Sequence, residues 1–284
     1  MVTVSRKREA VQIAKESGYS ERRACALLGL SRSSARYQLQ MPRRDADFLV
    51  EVKEMALRYP RFGSPRITVM LNREGRVVNH KRVERIWQLA KLSLPRKRRR
   101  RRRGPQLETA IKATQANHVW SYDIIHDRLA NGRRFKCLCI MDEYTHENLA
   151  IVTQPSITSL TVIETLESLI TRYGHPKYLR SDNGSEFTAK AVMVWLQRFH
   201  IQTAFIEPGK PWQNGFVESF HARFRDECLN MHWFDSGREA QIEIEQWRQF
   251  YNHERPHSSV GNQPPTHAAK HMRKMIDNQQ LTTL

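Results

Sequence analysis

The chain has 284 residues and carries 47 Lys and Arg against 29 Asp and Glu, a formal charge of +18. The first 110 residues hold 28 basic and 10 acidic side chains and the remainder 19 of each, so the whole excess lies at the front of an otherwise balanced chain. No apolar run approaches the roughly 20 residues that span a bilayer, residues 1–8 lack the apolar core of a signal peptide, and four cysteines are too few for a disulfide scaffold. These features exclude a membrane protein and a disulfide-built module, and they leave a neutral body with a polyanion-binding arm, expected in the cytoplasm on nucleic acid.

In chain order, residues 21–28 read as a helix with Ala24, Leu27 and Leu28 on one face. Gly29 permits a sharp turn, Ser31 can cap, and residues 32–40 read as a second helix. This is a helix-turn-helix pattern in which Arg32, Ser33, Ser34 and Arg36 would face a DNA groove. A second helical unit follows over residues 45–92. Ser64-Pro65 starts a helix that Gly75 ends, and Asn79 starts another in which Val83, Ile86, Trp87 and Ala90 repeat at three-four spacing. Its opposite face displays His80, Lys81, Arg82 and Arg85, of which the last three are candidate DNA contacts. The eight basic residues Arg96 to Arg103, with Arg98, Arg100 and Arg102 among them, repel one another too strongly to pack in a core and form a linker or arm that phosphate would order.

From His118 the pattern changes. Residues 119–125, 133–142 and 149–154 are β-rich and joined by short polar turns, with Asn131-Gly132 a hairpin signal. Helical spacing over 159–173, a strand at 178–181, a helix at 189–200, a strand at 202–206 and a helix at 213–229 complete a mixed five-stranded sheet covered by helices on both faces. Cys137 and Cys139 are two apart on a strand and share a face; without a second Cys or His pair at ligand spacing they read as buried thiols rather than zinc ligands.

Three acids stand out. Asp123 falls in the first strand, Asp182 just past the fourth, and Glu218, 36 positions after Asp182, on the helix that follows the fifth. If the first and fourth strands are neighbours, all three can meet, and three anions held that close make sense mainly around divalent cations. Two such ions can stabilise both the attacking and the leaving oxygen of a phosphodiester, and Mg²⁺ (or Mn²⁺) takes carboxylate oxygens. Arg225 lies two turns after Glu218 on the same face and Asn183 opens a tight turn beside Asp182; both are candidate DNA contacts. Asp142 reads as a turn cap, Glu143 and Glu186 as acids outside the site, and His126 and His221 are left outside it because two-metal chemistry needs no histidine base.

The segments Trp120-Ser121-Tyr122-Asp123, Ser181-Asp182-Asn183-Gly184-Ser185-Glu186-Phe187, Gly209-Lys210-Pro211-Trp212-Gln213-Asn214-Gly215-Phe216-Val217-Glu218-Ser219-Phe220 and Tyr251-Asn252-His253-Glu254-Arg255-Pro256-His257 resemble the second-frame transposases of the bacterial insertion-sequence three family, relatives of retroviral integrases. The resemblance extends to Gly63-Ser64-Pro65-Arg66-Ile67 and to Val78-Asn79-His80-Lys81-Arg82-Val83. It implies a ribonuclease H-like core with Asp123, Asp182 and Glu218 as the metal-binding triad and Arg225 as the family's basic residue past its glutamate. It also implies joining of one element end to the other before a circular intermediate is inserted, and action alone or as a fusion with a first-frame partner; since two ends must be held together, a homo-multimer on DNA is expected, with the basic front end recognising terminal inverted repeats. His146 stands where relatives often have arginine, and the retroviral His/Cys module is absent.

The division expected is therefore 1–42 helix-turn-helix, 43–94 second helical unit, 95–112 basic linker, 113–256 catalytic core and 257–284 tail. The rivals are a DNA-binding regulator with an inert core and a structure-selective nuclease of the same fold. Neutralising Arg96 to Arg103 should weaken DNA binding and flatten its salt dependence while leaving sequence preference intact, as a titration of end-sequence and random duplexes across salt concentrations would show.

Overall fold

A computed structural model describes residues 3–37, 45–95, 111–182, 184–206, 215–270 and 272; the basic run with Arg98, Arg100 and Arg102, Asn183, and residues 209–214 of the third motif lie outside the described residues. The chain forms two compact units, Met1–Thr68 with Val78–Ser93 and Val69–Val77 with Leu94–Leu284. Among the described residues no helix is long and apolar enough to cross a membrane.

Helices α1 (Val4–Glu16), α2 (Glu21–Leu27) and α3 (Arg32–Arg36) begin at Thr3, Ser20 and Ser31, each of which accepts a backbone N–H from the first turn. Gly29, at φ +56°, makes the turn between α2 and α3. The buried face is Val11, Ala24 and Cys25 with Leu28 packed against it, whereas Leu27 is 72% exposed. The difference from the sequence expectation has a cause: α1 packs on α2 from the Ala24–Cys25 side, which turns Leu27 outward.

Helices α4 (Ala46–Arg58), α5 (Ser64–Arg73) and α6 (His80–Leu89) carry the second helical segment. Asn79 caps α6 through Lys81 N, and Val83, Ile86 and Trp87 form its buried stripe. Its polar face is partly committed: Asp45, 7% exposed, pairs with Arg82 at 2.9 Å and with Arg85, and the Arg82 guanidinium lies 4.5 Å from the Phe48 ring centre. Lys81 is exposed, as is Arg32; Arg36 pairs with Glu21 at 2.7 Å.

The larger unit is built on five strands, β1 (Val119–Arg128), β2 (Arg134–Asp142), β3 (Asn148–Gln154), β4 (Tyr178–Ser181) and β5 (Gln202–Phe205), in the order β3-β2-β1-β4-β5. The first three pair antiparallel, and β4 and β5 join them in parallel. Strand alternation sorts the residues. Trp120, Tyr122, Leu138 and Ile140 meet α7 (Ser159–Tyr173) and α9 (Lys190–Arg198) on one face. Ile125, Phe135, Cys137 and Cys139 meet α10 (Gly215–Glu227) and α11 (Gly237–His253) on the other. All four cysteines are buried and unpaired.

Two polar devices hold the sheet. At its centre Arg180 of β4 donates to Glu143 beyond β2 at 3.0 and 3.1 Å, and the Ser121 hydroxyl of β1 bonds the same carboxylate, all three side chains being buried. Burial pushes the Glu143 carboxyl up, and the guanidinium and hydroxyl pull it back. At the edge, α11 satisfies β3: Gln241 donates to Thr153 O at 2.9 Å, Arg248 to Asn148 O at 2.9 Å, and Asn252 both donates to Asn148 O (2.8 Å) and accepts from Asn148 N (2.9 Å).

Arg180→Met strands Glu143 as an unpaired buried acid and should cost about 3–5 kcal/mol, while adding Glu143→Leu should recover most of that loss. Urea unfolding of the single and double variants measures both.

Candidate active site

The three acids come from three elements. Asp123 sits in the middle of β1, the central strand, with 23% of its side chain exposed and Oδ1 accepting from Ile124 N at 2.7 Å. Asp182 follows β4 directly and is exposed; its Oδ1 accepts from Gly184 N at 3.0 Å. A Cβ on Gly184 would come within 3.0 Å of that oxygen and 3.3 Å of the Phe187 ring, so a side chain there would press on both and make them give by a few tenths of an ångström. Phe187 in turn is 2% exposed and meets Tyr122 of β1 edge-on at 4.2 Å, which fixes the short helix α8 (Ser185–Thr188) over the strand that carries Asp123.

Glu218 lies in the first turn of α10, exposed, while Val217, Phe220 and Phe224 bury the opposite stripe against β1 and β2. The Tyr251-to-His257 motif steadies this helix. Tyr251 packs edge-on against Phe220 at 5.1 Å, and Arg255 grips Glu227, at the helix's far end, through two bonds of 2.6 Å. His146, held at φ +59° in the turn after β2, packs against Phe216 at the near end, and burial keeps its imidazole below the ordinary value.

Electrostatics link the acids. Burial, opposed by the Ile124 N–H and reinforced by the negative charges of Asp182 and Glu218, pushes the Asp123 carboxyl up to about 6. His221, one turn after Glu218, brings Nδ1 to 3.6 Å from Asp123 Oδ2; burial first and Arg225 second drive its imidazole down to about 4. The sequence reading leaves His221 outside the site; its position three residues after Glu218, one helical turn, is what brings it beside Asp123. Among the described residues no three Asp, Glu, His or Cys side chains form a set that would grip one ion.

The remaining candidates have clear surroundings. Arg225 donates to His126 O at 2.9 Å and lies 3.8 Å from Asp127 Oδ2. Asp142 accepts from Tyr144 N, Thr145 N and Asn117 N at 2.7 to 3.0 Å and so caps the turn after β2. Glu186 pairs with Lys136 at 2.7 Å.

Residues 113–211 and 200–265 match the family description "Integrase core domain", and residues 42–102 match "HTH-like domain". The chain is 39% identical to the insertion element IS476 uncharacterized 39.2 kDa protein of Xanthomonas euvesicatoria, over 96% of this chain and 79% of that one. It is 40% identical to the insertion element IS407 uncharacterized 31.7 kDa protein of Burkholderia multivorans, over 91% and 94%. The chain belongs to the insertion-sequence three family of integrase-core transposases. Another member, 26% identical over 69% of this chain and 72% of its own length, is the putative transposase InsK for IS150 of Escherichia coli. Among solved structures, the HTLV-2 integrase catalytic core domain in complex with magnesium (trimeric form) has 15% identity and a TM-score of 0.44, covering 56% of this chain and 99% of that one. The family's core is ribonuclease H-like, and the mixed five-stranded sheet described above is that core.

The raised Asp123 gives a stability test. Its folded value near 6 lies above the ordinary 3.8, so the fold favours the protonated acid, and that contribution, complete below pH 4, is lost as pH rises through 6. Asp123→Asn should therefore stabilise the metal-free transposase by roughly 2–3 kcal/mol at pH 8 and by little at pH 4, measured by urea unfolding at both pH values.

Proposed function

We propose that this transposase cuts at the ends of an insertion element and joins the freed 3′-hydroxyls to target DNA, with Asp123, Asp182 and Glu218 as ligands of two Mg²⁺ (or Mn²⁺) ions. The observation that carries the reading is the Asp123 carboxyl: a partly buried acid on the central strand, repelled by two further acids, is a place short of positive charge. The donor set fits hard cations, which prefer carboxylate oxygen. Divalent cations bound there would supply the missing charge and polarise the oxygens that attack and leave the phosphodiester.

The chain's own side chains set the conditions. Asp123 must release its proton to act as a ligand, so metal affinity rises with pH up to about 6 and levels off above it. His221 stays neutral at physiological pH and adds no charge to compete with the cations. Arg225 spends one nitrogen on His126 O and keeps other donors for a DNA phosphate beside the acids. Asp182 is held in position by the Gly184 N–H before any ligand arrives.

The partners proposed are double-stranded DNA, as terminal inverted repeats and as target, with the helix-turn-helix segments reading the repeats. Since two ends must be held together, a homo-multimer on DNA is expected, acting alone or as a fusion with a first-frame protein. Asp182→Asn or Glu218→Gln should reduce Mg²⁺-dependent cutting and joining of end-sequence oligonucleotides to background while DNA affinity stays within about twofold, since neither acid holds the duplex in this reading. A variant that still cuts and joins normally would remove that acid from the site, and a wild-type chain that binds ends without cutting would make this a regulator.

A further inference from the structure

Among the described residues, strand β1 has no pairing on the β4 side beyond Ser121, and strand β2 has none with β3 beyond the Lys136–Gln154 pair. Residues 126–136 thus extend past the rest of the sheet as a two-stranded ribbon. Its turn is closed by Leu129 N donating to Arg133 O at 2.8 Å and Gly132 N to Leu129 O at 2.9 Å, with Gly132 at φ +82°.

The register sets His126 opposite Lys136 and Arg128 opposite Arg134. Alternation puts all four on one face of the ribbon, and Asp127, drawn toward Arg225, on the other. Lys136 is neutralised by Glu186. Arg128, Arg133 and Arg134 are exposed, and among the described residues none of them has an ion-pair partner. Two guanidinium groups placed opposite each other weaken a hairpin, and a bound polyanion turns that repulsion into attraction. A two-stranded ribbon also has the width that a DNA groove accepts.

Asp123 shares its face of β1 with Asp127, so Arg128 and Arg134 lie on the opposite face of the ribbon from that acid. We propose that this ribbon is a DNA-backbone clamp whose Arg128, Arg133 and Arg134 hold phosphates of a duplex segment away from the acids. The binding does not rest on the reading of Asp123 as part of the reaction centre.

The test uses the full chain and end-sequence or target duplexes with neutral methylphosphonates placed at each backbone position in turn. The clamp predicts that substitution at a short run of positions weakens wild-type binding several-fold and leaves the Arg128→Gln/Arg134→Gln variant unaffected, and that the variant's salt slope is shallower by about two. Sensitivity in the element arm or in the target arm identifies which duplex is held. Equal slopes and equal methylphosphonate sensitivity in variant and wild type would overturn the clamp. Arg128→Glu, which puts opposite charges across the ribbon, should raise the thermal midpoint and lower DNA affinity; a raised midpoint with unchanged affinity would also overturn it. A wild-type chain that fails to cut but shows the slope change sinks the catalytic reading and keeps the clamp.

Discussion

At the centre of the sheet Arg180, Glu143 and Ser121 meet in a buried triangle drawn from β4, from the turn after β2 and from β1. The contact fixes register. Ser121 pairs with Arg180 in the parallel ladder, and two residues beyond that pair on each strand lie Asp123 and Asp182. A slip of one residue would turn Asp123 to the face that α7 and α9 cover. The two acids therefore depend on a charge pair that touches neither of them, and an apolar substitute could match its stability without specifying the same alignment so narrowly.

Around that alignment the structure accumulates negative charge and then limits it. Asp123 is raised by burial and by its two acidic neighbours, while the local cations are held slightly apart: Arg225 on His126 O and Lys136 on Glu186. His221 lies nearest and is kept neutral. The outcome is an acidic centre bordered by basic side chains that are partly committed to neighbours of their own.

Much of this was legible in the sequence, for identifiable reasons. The helix at 159–173 and the strand at 178–181 appear with those bounds because their apolar spacing is undisturbed and a Gly174 boundary separates them. The motif acids could be assigned to their elements. That β1 lies beside β4 could only be supposed, since a long-range pairing leaves no local mark. Strand β1 runs three residues further than its apolar pattern because 126–128 are polar ribbon positions supported only by β2. Helix α11 was missed although Ser236 caps it and Ala240, Ile244, Trp247 and Tyr251 repeat on one face; the charged residues between them masked the period. The even count of acids and bases after residue 110 likewise concealed a local concentration of arginines at a single hairpin.

The treatment of β3 has a consequence for assembly. An outermost strand with open amides invites a strand from another chain, and here glutamine, arginine and asparagine side chains of α11 occupy several of those positions. A strand from another molecule is thereby discouraged from adding to the sheet along β3.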